Sequence, residues 1–164
     1  MSGAPREGSA SPSHSSERGT TAVDTIRVRH VARRQFTGWN ERGHGIVMDS
    51  PAEFKGEGTG PRPVELVLYA LGGCTAMDVV SVLEKKRLDV RSVDVTVQGT
   101  QREDDYPHYY ERVTVEYVVT GVGVPDEAVA RAIELSETKY CSVKGMFGPQ
   151  VEVVTSFRVV EAAC

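Results

Sequence analysis

Thiols are the groups best suited to chemistry in this chain, and there are three: Cys74, Cys141 and Cys164. A thiolate is a nucleophile and a metal ligand. The count is odd and no CxxC occurs, so neither a disulfide framework nor a thioredoxin-type motif is written here. The four histidines are scattered and lack the close pairing of structural zinc ligands, so no metal and no cofactor are expected. Cys74 has the most informative surroundings. It lies in LYALGGCTAMDVV, residues 68–80, directly after Gly72 and Gly73. Glycine inside a helix costs about 1 kcal/mol relative to alanine. Two in a row suit a close backbone approach, tight helix packing, or space beside a reactive sulfur. On its residues alone Cys74 is either an inert buried thiol, a common fate of free cysteine, or a reactive one. Asp78 follows it by four residues, on the same helical face one turn on. A carboxylate amid Ala76, Met77, Val79 and Val80 is costly unless paired or hydrogen-bonded. It is therefore a structural acid or a polar group that tunes the sulfur, with Arg42, His44 and Arg62 as candidate cationic partners. Cys164 reads as a terminal thiol without function.

The elements that must position these groups come next. Residues 1–22 are rich in Ser, Gly and Pro and read as a disordered tail. His14 falls inside that tail. Residues 23–164 form one domain. TIRVRHVARRQF (25–36) alternates as a strand, TGWNERGHG carries turn residues, and GIVMD (45–49) is a short second strand. The Gly/Pro-rich stretch 50–63 is a loop of the length that often carries function. Pro63 can open a helix over 63–87. That helix is apolar on nearly all sides until EKKR, and a helix apolar all round is buried all round. One chain of 164 residues can hardly wrap it, so a second copy is expected. Residues 92–103 and 111–121 alternate as an antiparallel hairpin. Pro125 starts a second helix, with Asp126 and Glu127 suiting its N-terminal dipole, ending near Tyr140. CSVKGMFG is a further short helix, and residues 150–161 close as a strand. The order ββ-α-ββ-α-β is an α+β fold.

Bulk composition narrows the function classes. Hydrophobic content of 40% and charged content of 26% are ordinary for a soluble domain. A net charge of −4 and the lack of a basic patch argue against nucleic acid as partner. No apolar run of about 18 residues escapes interruption by a charge, and no leader-like apolar region opens the chain. A cytoplasmic protein without membrane attachment is the expectation.

Two segments carry a resemblance. PVELVLYALGGCTAMDVVSVLEKK and ELSETKYCSV resemble the two cysteine motifs of the OsmC/Ohr superfamily, the osmotically inducible and organic-hydroperoxide-resistance proteins. The two cysteines stand 67 residues apart. With GHGIVMDS included, the wording is most similar to the YhfA-like branch, and the likeness spans residues 25–161. It implies an OsmC-like fold, with antiparallel sheets wrapped around a central buried helix in an intertwined homodimer. It implies that Cys74 is the peroxidatic cysteine and Cys141 the resolving one. An organic hydroperoxide would convert Cys74 to a sulfenic acid, Cys141 would condense with it, and an external dithiol would reduce the disulfide. In the hydroperoxide branches an Arg and a Glu hold the thiolate, the Glu directly after the helix-opening proline. Here Val64 takes that place and Glu65 follows. Nine residues before Cys74, Glu65 faces the opposite side of the helix. Arg42 is the nearest candidate for the arginine. Asp78, Glu65, Arg42 and His44 are thus the supporting candidates. The departures leave a second reading open: a non-enzymatic dimer that binds a small apolar ligand or senses redox state.

Overall fold

The computed structural model describes residues 23–163, so the expectations for the N-terminal tail and Cys164 lie outside the described residues. The first sheet is antiparallel, in the order β1 (Ile26–Ala32), β2 (Gln35–Asn40), β3 (Gly45–Met48). The sequence suggested one strand over 25–36. The chain instead turns at Arg33, which adopts φ 48°, and pairs back on itself. No Asn-Gly or Asp-Gly marks that turn, so turn chemistry gave no warning. Thr37–Asn40, read as turn, belong to β2, and only the tip at 41–43 reverses the chain.

Helix α1 (Glu65–Lys85) follows the loop. Strands β4 (Asp89–Gln101) and β5 (Tyr110–Val122) form the expected hairpin. Next come α2 (Asp126–Leu135), a π-helical turn at Ser136–Tyr140, α3 (Ser142–Met146) and β6 (Glu152–Glu161). The order in the second sheet is β4-β5-β6. Here the all-antiparallel expectation is corrected: β6 runs parallel to β5. A parallel neighbour needs a long crossover, and the segment holding α2 and α3 supplies it.

Alternation in β4 and β5 turns one face of this sheet onto the helices. Val113, Val115, Tyr117 and Val119 are buried, with Val93, Val95 and Val97 partly buried beside them. Leu71, Val79, Val82 and Leu83 of α1 and Val129, Ala132 and Ile133 of α2 complete the core. Val79 and Leu83 are fully buried, each worth about 1.5–3 kcal/mol. Gly72 has a packing reason: a Cβ there would lie 3.0 Å from Val97 Cγ2.

The other side of α1 is open within one chain. Tyr69, Ala70, Gly73 and Met77 form an exposed stripe at helical spacing. By length and composition α1 could cross a membrane, yet part of it is buried inside the chain. The first sheet is equally uncovered. It makes no substantial packing with α1 or the second sheet, and it exposes Ile26, Val28, Phe36, Ile46 and Val47.

The loop before α1 is pinned by a residue with no assigned part in the sequence reading. Asp49 is 1% exposed. Its carboxylate accepts the backbone N–H groups of Ser50, Glu57 and Thr59 and the Thr59 hydroxyl, at 2.8–3.2 Å. Burial pushes its pKa up, but these hydrogen bonds outweigh that and hold it below the ordinary value.

Candidate functional site

Cys74 sits in the middle of α1, half-buried, on the side that meets the α2–α3 segment. Asp78 lies one turn further on. Cys141 is buried and caps the N-terminus of α3, where its Sγ accepts the Lys144 N–H at 3.3 Å. The fold brings all three together: both sulfurs and a carboxylate oxygen of Asp78 lie within 4.8 Å of one another. Both thiols are free. Burial pushes the Cys141 thiol up to about 11, and its hydrogen bond with Cys74 adds to the rise. The Lys144 and Val143 N–H groups offset part of it. Cys141 therefore stands as a protonated thiol at neutral pH.

Behind the sulfurs runs a buried chain of hydroxyls. Ser136 Oγ donates to Asp78 Oδ2 at 2.9 Å and lies 2.9 Å from Thr75 Oγ1. Thr75 is in turn hydrogen-bonded to the Tyr117 hydroxyl. Ser136, Thr75 and Tyr117 are at most 3% exposed. Burial, only partly countered by the Thr75 bond, pushes Tyr117 up to about 12. Ser136 acts twice, because its backbone carbonyl accepts the Cys141 N–H at 2.9 Å across the π-helical turn. π-Helical turns recur at functional sites. This one fixes Asp78 through a side chain and Cys141 through the backbone.

The sequence reading did not single out Ser136, Thr75 or Tyr117. Two were legible in part: Thr75 adjoins Cys74, and Ser136 stands five residues before Cys141. Tyr117 carried no signal beyond its inward place in a strand.

The remaining candidates lie elsewhere. Arg62 pairs with Glu65, through its guanidinium at 3.0 Å and its backbone N–H at 2.8 Å. The Arg62 N–H, then the guanidinium, holds the Glu65 carboxyl below the usual range despite partial burial. At 1.5 Å of rise per residue this pair is about 13 Å along the helix from Cys74. Glu65 borders an open groove of about 680 Å³ whose walls include Leu68, Tyr69, Gly73, Ala76, Val95 and Val97. Arg42 and His44 sit at the exposed β2–β3 turn, their N–H groups both donating to Asn40 Oδ1 at 3.0 Å. That sheet does not pack substantially on α1, so neither residue joins Cys74 within one chain. The hydroxyl of Ser136, and none of these cations, is the partner of Asp78.

Two sheets, a long apolar helix and two thiols facing each other where helices meet define a small α+β protein of thiol-bearing type. The family model described as OsmC-like protein matches residues 56–156, and the chain belongs to that family. It is 41% identical over 136 residues to Protein YhfA of Escherichia coli strain K12, covering 83% of this chain and 98% of that one. A solved hypothetical protein from Aquifex aeolicus VF5 superposes with TM-score 0.76 at 29% identity, covering 87% and 100% of the two chains. The organic hydroperoxide resistance protein OhrB of Bacillus subtilis superposes with TM-score 0.58 at 15% identity over 83% of this chain and 98% of that one, a likeness of fold alone.

Proposed function

We propose that the protein is a cysteine-based peroxidase for organic hydroperoxides, acting as a homodimer in the cytoplasm. The observation that carries this reading is the approach of Cys74 and Cys141, whose sulfurs lie within 4.8 Å in a member of the OsmC-like family. The Cys74 thiolate attacks the O–O bond of ROOH. The S–O bond forms, the O–O bond breaks, and the alkoxide leaves as ROH after taking a proton. Cys74 is then a sulfenic acid. The Cys141 thiol attacks that sulfur, and the hydroxide leaves as water with the thiol's proton. Asp78, within reach of both sulfurs, is the group placed to relay that proton. An external dithiol returns the disulfide to two thiols and becomes a disulfide itself. A reducing compartment keeps both thiols ready between turnovers.

The dimer is supported by two uncovered apolar surfaces, the Tyr69–Met77 stripe of α1 and the first sheet. One copy's sheet on the other's helix would bury both. It would also bring Arg42 and His44 toward the partner's α1. Apolar walls around the helix favour an organic hydroperoxide over hydrogen peroxide.

A second reading has its own support. Glu65, paired with Arg62, borders a groove that runs along α1 between Leu68, Tyr69, Val95 and Val97, an arrangement that suits binding of a small apolar ligand without turnover. Coupled consumption of cumene hydroperoxide with a dithiol separates the two. The peroxidase turns over, Cys74→Ser abolishes turnover, and Cys141→Ser leaves Cys74 open to sulfinic acid. Native protein that binds the hydroperoxide's apolar body and consumes none supports the ligand-binding reading instead.

A further inference from the structure

Two sulfurs and a carboxylate oxygen within 4.8 Å of one another are also a donor set. Thiolate ligands select zinc and other soft cations over magnesium or calcium. Around tetrahedral zinc, with Zn–S of about 2.3 Å and Zn–O of about 2.0–2.2 Å, neighbouring donors stand roughly 3.5–3.8 Å apart. The three side chains need to close by at most about 1.3 Å to reach that spacing, a change rotamer adjustment supplies.

The surroundings match what holds metal ligands in place. Ser136 Oγ fixes one oxygen of Asp78 at 2.9 Å. The other carboxylate oxygen accepts no hydrogen bond from the described residues. The Lys144 N–H points at Cys141 Sγ at 3.3 Å, a contact that stabilises charge on sulfur. Such outer partners orient ligands and raise their affinity. Cys74 and Asp78 are half-buried and Cys141 is buried, so a cation here would be backed by protein and keep one position toward solvent.

We propose that Cys74, Asp78 and Cys141 form a three-ligand site for a soft divalent cation such as Zn²⁺, and that occupancy silences the thiol pair. The silencing rests on the peroxidase reading; the binding does not. Coordination forms two metal–sulfur bonds and one metal–oxygen bond. Each thiol that coordinates gives its proton to solvent, and no electron moves. With both sulfurs on the cation, neither can attack a peroxide until the metal leaves.

The test uses reduced full-length protein, Zn²⁺ as the probe, and a chromophoric chelator as competitor. One equivalent per chain should resist the chelator. Bound Zn²⁺ should protect Cys74 and Cys141 from alkylation while Cys164 still reacts, a readout that needs no variant. Asp78→Asn should weaken binding at least tenfold and Ser136→Ala about tenfold. Cys74→Ser and Cys141→Ser should remove the tight equivalent, and Cys164→Ser should bind like the native chain. No retained metal, or retention and alkylation patterns that ignore Asp78 and Cys74, overturns the site. Peroxide consumption by metal-free protein is measured in parallel. Turnover without metal binding sinks this inference alone. Tight binding without turnover in the metal-free protein sinks the peroxidase reading and the silencing with it, and leaves the binding site standing.

Discussion

Replacing Gly73 by alanine separates what α1 does inside one chain from what it does between two. A Cβ at Gly73 would meet nothing within 4 Å, whereas one at Gly72 would lie 3.0 Å from Val97 Cγ2. Within one chain both substitutions gain about 1 kcal/mol of helix propensity. Overpacking at Gly72 costs about 1–3 kcal/mol, so Gly72→Ala ends between neutral and about 2 kcal/mol destabilised. Gly73→Ala has no such cost and should stabilise an isolated chain. If the Tyr69–Met77 stripe packs on a second copy, the added methyl falls in the interface. The dimer carries two such methyls, and an overpacking cost of about 1–3 kcal/mol at each raises the dissociation constant about 30- to 25,000-fold. Light scattering across a dilution series reads the constant, and urea unfolding reads the stability. We expect Gly73→Ala to dissociate more readily than the native dimer. A higher unfolding midpoint with an unchanged dissociation constant, or a native chain that is monomeric at every concentration, would refute the interface.

Three further outcomes follow from the hydrogen bonds. Asp49, held below its ordinary pKa by four hydrogen bonds, contributes stability that is fully present above about pH 4. That contribution is lost as pH falls through the lower native value. Native protein should therefore lose unfolding free energy below about pH 4 more steeply than Asp49→Asn, and equal slopes would contradict it. Thr75→Val keeps the shape but leaves the Tyr117 and Ser136 hydroxyls without their shared partner, costing about 1–3 kcal/mol in urea unfolding at unchanged m-value. Ser136→Ala should slow disulfide formation without slowing the first oxidation of Cys74, since it loosens Asp78; stopped-flow measurement of the two phases checks this.

Much of this was legible in the sequence. Alternating Val and polar residues in β4 and β5 gave the hairpin, because one face of that sheet is buried and the other wet. The long apolar run of α1, broken by Asp78, gave a helix that one chain leaves half uncovered. Cys74 and Asp78 could be placed on one face by spacing alone. The turn at Arg33 could not be read, because a left-handed arginine has no signature of its own. The parallel pairing of β6 depends on where the crossover returns the chain, which local pattern does not encode. The Tyr117–Thr75–Ser136–Asp78 chain joins residues 42 to 61 positions apart at its cross-element bonds. Only the folded core assembles it. The Asp49 anchor was hidden for the same reason: its partners lie up to ten residues on, in a loop read only as Gly/Pro-rich.

The measurement that bears most directly on the peroxidase account is peptide mapping of metal-free, reduced protein after one equivalent of cumene hydroperoxide. One intramolecular Cys74–Cys141 disulfide is expected, with two thiols lost per peroxide consumed and full recovery with a dithiol. Cys74 and Cys141 remaining reduced while Cys164 alone is oxidised would contradict it.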